Sequence, residues 1–343
     1  MALTGFSIVT VLLVSFMTIL VIYILLMSSG TYASVRIVHK RTDGGGGCGP
    51  VMLDGHLILD RIFYLHVPKC GSSFATLIVQ YACPGLAKNI TVKEPGAIEY
   101  PPGSGKGLDR QKYCGNVLQR FDSGHYPLPK IDSTTHQEDV FFSKGRYDVI
   151  TFLREPTDRI VSGLLDGFHS CNMSSFAAKY PWLYPGVRNP ENVMGHRPNY
   201  TYLFEKAGEK IVGAIVKYYW NCVAGCATKM ILGEWCGDVP YPLSPSKYQG
   251  TPVMSLGKVD LALERLNKFA FIGLTGRWNE SVHLWQRLFG GSYSDTVYDN
   301  TRPSTFSRYY DILLNMIQKH GLTDEADEIM YRFAEARMNA LLK

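Results

Sequence analysis

Residues Arg61 to Ala82 read RIFYLHVPKCGSSFATLIVQYA: an apolar run rich in β-branched and aromatic residues, a break of small and turn-forming residues, then apolar residues at helical spacing. The order recurs, and that recurrence constrains the fold more than any other feature. RYDVITFLREPTDRIVSGLLDGFH (146–169) and KFAFIGLTGRWNESVHLWQRLF (268–289) follow the same plan of strand, short break and helix. A strand that reaches the next strand through a helix lies parallel to it, so the three units predict an α/β fold with a parallel sheet flanked by helices. The stretch HLILDRIFYLHV (56–67) predicts a single strand, Pro156 sits where a helix begins, and two amphipathic helices, 304–320 and 324–342, close the chain.

The amino end is of another kind. Phe6 to Met27 is an uncharged run of about 22 residues, long enough to cross the roughly 30 Å hydrocarbon core as a helix. The expected organisation is a short tail (1–5), a transmembrane signal-anchor (6–27), a flexible stem (28–53) containing the glycine run of TDGGGGCGP, and a folded domain (54–343). A cleaved signal peptide is the alternative, with SSGTYAS as the cleavage region. The nearest basic residues, Arg36, Lys40 and Arg41, follow the span and by the positive-inside rule point the domain to the cytosol. Eight cysteines and four sequons, at Asn89, Asn172, Asn199 and Asn279, point instead to an oxidising, glycosylating lumen. The lumenal orientation is the one adopted.

A net charge of +5, spread along the chain without basic blocks, argues against a dedicated nucleic-acid binder and permits an anionic ligand. Where the first strand runs out, Lys69 supplies a positive charge, Gly71 permits close backbone approach, and Ser72 and Ser73 add hydroxyl donors ahead of a helix N-terminus. The loop lacks the GxxxxGK[ST] spacing, which speaks against ATP or GTP hydrolysis. The second strand ends in Arg154, and Ser162 follows two helical turns later; a guanidinium and a hydroxyl so spaced can share one anion. The plain alternatives are a solvated lysine in an ordinary turn and surface pairs Arg154–Glu155 or Arg159–Asp166.

Together, HVPKCGSSF and LREPTDRIVS resemble the 5′-phosphosulfate loop and 3′-phosphate motif of the membrane-bound Golgi carbohydrate sulfotransferases, most of all the heparan sulfate 2-O/6-O-sulfotransferase group. FDSGHYP is similar to that group's Gly-His segment, FIGLTGRWNESVHLWQRLF to its third strand and helix, and DEIMYRFAEARM to its C-terminal helix, so the resemblance runs from about residue 60 to 340. It implies the sulfotransferase fold, a Golgi membrane protein of single-pass type II, and 3′-phosphoadenosine-5′-phosphosulfate (PAPS) as donor. A glycan is implied as acceptor, with no metal. Lys69 matches the lysine that contacts the bridging oxygen; Cys70, Gly71, Ser72, Ser73 and Phe74 match the backbone cradle; Arg154 and Ser162 match the 3′-phosphate ligands; His125 matches the position of the base. These roles are physically apt, because negative charge grows on the leaving phosphate oxygen and a sugar hydroxyl needs a proton acceptor near neutral pH.

The pattern is departed from in two places: the trio Cys70-Gly71-Ser72, where many relatives carry Thr-Gly-Gly or a similar trio, and Gly276, which stands in place of a glutamate. The altered stretch NCVAGCATKMILG makes Asn221, Thr228 and Lys229 candidate contacts for nucleotide or substrate. Disulfides are a plainer fate than zinc for Cys222, Cys226 and Cys236. Trp182, in PWLYPG, is a candidate for sugar stacking. The competing functions are a sulfotransferase for protein tyrosine or a small alcohol, and a non-catalytic lumenal glycan-binding protein of the same fold.

Overall fold

Three short runs that are buried along almost their whole length, IFYL, DVITFL and FIGL, form the centre of the molecule as β3 (Ile62–Leu65), β4 (Asp148–Leu153) and β5 (Phe271–Leu274). Strands covered on both faces need continuous apolar sequence rather than alternation, and these have it. They pair in the order β3-β4-β5, all parallel, with Leu65 opposite Thr151 and Leu153 opposite Leu274. The computed structural model describes residues 52–53, 56–57, 59, 62–71, 74, 77–78, 81, 127–130, 142, 148–166, 210–236, 256–290 and 309–343. The apolar run 6–27, the sequons at Asn89, Asn172 and Asn199, and Trp182 lie outside the described residues. Among the described residues no helix is long and apolar enough to cross a membrane.

The predicted strand 56–67 is divided. β1 (Met52–Leu53) and β2 (His56–Leu57) make a two-residue antiparallel ladder around Asp54-Gly55, a dipeptide suited to a tight hairpin, and β3 joins the parallel sheet separately. β1 thus starts two residues ahead of the expected domain start at residue 54.

Helices follow the strands as the pattern predicts. Phe74, Leu77, Ile78 and Tyr81 are helical after β3, α1 (Pro156–Leu165) follows β4, and α5 (Trp278–Phe289) follows β5. Between the second and third units stand α2 (Lys210–Tyr218), a π-helical turn (Tyr219–Val223), α3 (Cys226–Leu232) and α4 (Leu256–Asn267); α6 (Tyr310–Lys319) and α7 (Glu325–Leu342) end the chain. α1 shows its start signals in full. Pro156 occupies the first turn, where a missing N–H costs nothing, and the Glu155 carboxylate accepts the Asp158 N–H at 2.6 Å.

One face of the sheet is sealed by aromatic rings. Phe74 stacks on Phe271 and meets Phe152 with ring centres 4.0 Å apart, while Trp278 and Trp285 approach Phe74 edge-on. Gly273 lies under this layer, and a Cβ there would collide with the Phe152 ring. A second apolar cluster packs Ile160, Val161 and Leu164 of α1 against Ile211 and Ile215 of α2 and Leu313 and Ile317 of α6. α1 therefore packs its apolar stripe against α2 and α6.

Candidate active site at the carboxyl edge of the sheet

The chain leaves β3 through a tight turn, with the Cys70 N–H donating to the Val67 carbonyl at 3.1 Å and the Phe74 N–H to the Gly71 carbonyl at 3.0 Å. Lys69 sits in this turn at φ 64°, the one positive φ among the described non-glycine residues. Such a conformation costs an L-residue about 1–2 kcal/mol and persists only where surroundings impose it. Gly71, at φ 87°, answers a tighter demand still, since an added Cβ would lie 3.3 Å from Phe152 and 3.4 Å from Trp278. The Tyr64 hydroxyl donates to the Gly71 carbonyl at 3.1 Å, and burial pushes its pKa well up, so it stays a donor.

Arg154 emerges at the end of the neighbouring strand. Its Nη1 donates to the Lys69 carbonyl at 3.4 Å, a long bond that nevertheless puts the guanidinium against the Lys69 turn. Both cations thus stand at the carboxyl ends of adjacent parallel strands, the edge where open α/β sheets gather their ligands. Ser162 is half-buried on α1, and its carbonyl accepts the N–H of Asp166 at 3.1 Å. One helical turn beyond Ser162, the Asp166 carboxylate holds the Lys69 ammonium, Nζ to Oδ2 2.9 Å. Lys69 is therefore oriented from both ends, by Arg154 at its carbonyl and by Asp166 at its ammonium.

The expected alternative partner for Asp166 does not hold. Arg159 is 2% exposed, and its Nη2 donates to the carboxylates of Asp324 and Asp327, each at 2.9 Å, and to the Val223 carbonyl at 2.9 Å. A guanidinium pointing into the core cannot serve as a surface partner. Asp327 also accepts the N–H groups of Ala227 and Thr228 and the Thr228 hydroxyl, while Asp324 accepts the N–H of Gly225, so this pair caps the start of α3. Burial, reinforced by Asp327, pushes the Asp324 carboxyl up to about 7.

That network corrects the expectation for Thr228 and Lys229. Thr228 is fully buried with its hydroxyl committed to Asp327, and Lys229 is 1% exposed, with burial lowering its pKa. Both side chains are packed inside the fold rather than presented at its surface. Cys70 is likewise enclosed: burial raises its thiol to about 11, with Arg159 and Arg154 pulling it the other way, so it is a packing residue of the turn rather than a nucleophile. Phe74 contributes its fully buried ring to the aromatic layer and its N–H to the turn. Cys226 and Cys236 form a disulfide, and Cys222 is disulfide-bonded as well.

Ser72, Ser73 and His125 lie outside the described residues, as does the Asn221 side chain. Residues 127–130 are held against α3 and α4, where the Leu128 N–H donates to the Met230 carbonyl at 2.9 Å and Arg265 Nη2 donates to the Pro129 carbonyl at 2.9 Å. Just past the third strand, the Thr275 hydroxyl donates to the Leu153 carbonyl at 3.2 Å, joining the β5 end to the β4 end. Arg277 is taken up by Glu280 and Asn339. The chain matches no family model and no curated protein.

Asp166 is the residue that pattern reading missed as a site residue. A signal was available, because an acid at the carboxyl end of a helix opposes the macrodipole and calls for a nearby cation. Its position one turn after Ser162, on the same helix face, named the direction in which that cation would lie.

Proposed function

We propose that this chain transfers a sulfuryl group from PAPS to a hydroxyl of a glycan, as a Golgi membrane enzyme of the sulfotransferase fold anchored by residues 6–27. The observation that carries the reading is the juxtaposition of Lys69 and Arg154 on the ends of β3 and β4, close enough for the guanidinium to touch the lysine's own carbonyl. One adenosine nucleotide with phosphates at two ends needs two cationic points of this kind on one edge. Ser162 on α1 completes the second point.

In the proposed reaction the acceptor oxygen forms a bond to sulfur as the bond from sulfur to the phosphate bridging oxygen breaks. The electron pair of that bond stays on the phosphate, and 3′-phosphoadenosine-5′-phosphate (PAP) leaves. Lys69 neutralises the charge growing on that oxygen, and His125 takes the acceptor proton. Fixed donors of this kind each contribute about 10²–10³-fold in rate. The test is sulfate transfer from labelled PAPS by the full chain in detergent, offered a panel of desulfated glycans, a tyrosine peptide and a simple alcohol. Label on a glycan, lost about 10²-fold or more in Lys69→Ala with its melting temperature retained, is the expected result. Undiminished turnover in that variant removes Lys69 from the chemistry, and label on the peptide or alcohol alone redirects the acceptor class.

A further inference from the structure

Asp166 has a position that the proposed transfer does not require. It lies at the carboxyl end of α1, where a negative charge is unfavourable, yet its carboxylate sits 2.9 Å from the ammonium of Lys69, the group that the sulfuryl-transfer reading assigns to the donor's phosphosulfate. Lys69 side-chain exposure is 23% and that of Asp166 38%, so the pair is open to solvent and to exchange rather than locked in the core. The turn holding Lys69 is fixed independently, through its positive φ and the Arg154 contact, so opening the ion pair moves a side chain and leaves the backbone in place.

Resting on the sulfuryl-transfer reading, we propose that Asp166 is a positioning residue: the resting counter-ion of Lys69, displaced by the phosphosulfate of the donor when it binds. In the empty protein the carboxylate keeps the ammonium at the carboxyl edge of the sheet and screens it from stray anions. An incoming donor presents several negative charges at once, together with the Arg154 and Ser162 contacts, and so outcompetes a single carboxylate. Asp166 then sets donor affinity by competition, without touching the nucleotide.

The competition has a sign that an ordinary structural ion pair lacks. Asp166→Asn removes the competitor and is expected to bind PAP about two- to fivefold more tightly, the size of an exposed ion pair. Asp166→Glu can still reach the ammonium and is expected to remain within about twofold of the parent protein, and in a Lys69→Ala background Asp166→Asn is expected to have no effect on PAP affinity. Competitive acetylation of the empty protein supplies a second measurement: Lys69 should label several-fold faster in Asp166→Asn. Calorimetric titration of the full chain in detergent gives the affinities. Unchanged or weakened PAP binding in Asp166→Asn, with the parent protein binding normally, overturns the counter-ion role and leaves the donor reading standing. Failure of the parent protein and of Asp166→Asn to bind PAP overturns both.

Discussion

At the scale of single residues, Cys70 and its neighbour Lys69 show how one turn gives adjacent side chains opposite chemistry. Lys69 is half-exposed and charged; Cys70, 1% exposed, is held protonated by burial. With a thiol pKa near 11 the reactive thiolate is about one part in 10⁴ at pH 7, even before access is considered. Iodoacetamide is therefore expected to alkylate Cys70 at least about 100-fold more slowly in the folded protein than in urea, measured by mass spectrometry of the tryptic peptide. Rapid native-state alkylation would show that the turn opens around the sulfur. The two cations of this site were legible in sequence because each lies between the end of a strand and the start of a helix, a purely local signature. Their partners were not, since Asp166 is 97 residues from Lys69, and Asp324 and Asp327 are 165 and 168 residues from Arg159. Pattern reading paired Arg159 with Asp166 because they are near in sequence, and burial decided otherwise.

At the scale of elements, the strand-then-helix units were legible because buried parallel strands are written as continuous apolar runs and α1 has both its Pro156 start and its Glu155 cap. The elements from α2 to α4 were not read as helices, and much of α3 is apolar or small on every side, which erases the periodicity that marks a half-exposed helix. Tertiary bonds define its start instead. Arg159 of α1, Asp324 and Asp327 at the head of α7, and the first N–H groups of α3 form one buried junction, so these three helices are expected to fail together. Asp327→Ala leaves Arg159 with one carboxylate fewer and strips α3 of its cap; a cost of about 3–5 kcal/mol in urea unfolding is expected. The junction also gives a pH signature. Burial, reinforced by Asp327 and opposed by Arg159, raises the Asp324 carboxyl in the folded protein above its ordinary 3.8, so the folded protein keeps that proton to higher pH than the unfolded chain does. The stabilisation from that difference is complete below about pH 4 and is lost as pH rises through about 7. The urea midpoint should fall between pH 5 and pH 8 by more in the parent protein than in Asp324→Asn, and equal falls in the two would mean that Asp324 is ionised throughout.

At the scale of the whole molecule, the described residues put a polar rim at the carboxyl ends of the strands, built from the β3 turn, the β4 end and the β5 end, and an aromatic layer over the sheet. Which side of a membrane this rim works on is decided by the proposed lumenal orientation, and Asn279 offers a direct test of it. Its sequon, Asn279-Glu280-Ser281, falls in the first turn of α5, where Asn279 is exposed. Ser281, by contrast, is fully buried, with its hydroxyl accepting the Leu274 N–H at 2.9 Å and donating to the Arg277 carbonyl at 2.9 Å. The serine that the glycosylation machinery must reach is thus withdrawn once β5 and α5 have packed, so transfer to Asn279 has to precede folding of this unit, as it does for a chain entering the lumen during synthesis. The exposed asparagine leaves room for the glycan afterwards. In a lumenal protein made in animal cells, glycosidase treatment is expected to shift the band, and Asn279→Gln, which spares the Ser281 bonds, should reduce that shift by one glycan. Absence of any glycosidase-sensitive shift in the parent protein would place the domain in the cytosol, as the basic residues after the span suggest, and would end the Golgi assignment while leaving the Lys69–Arg154 edge to be explained by a cytosolic donor.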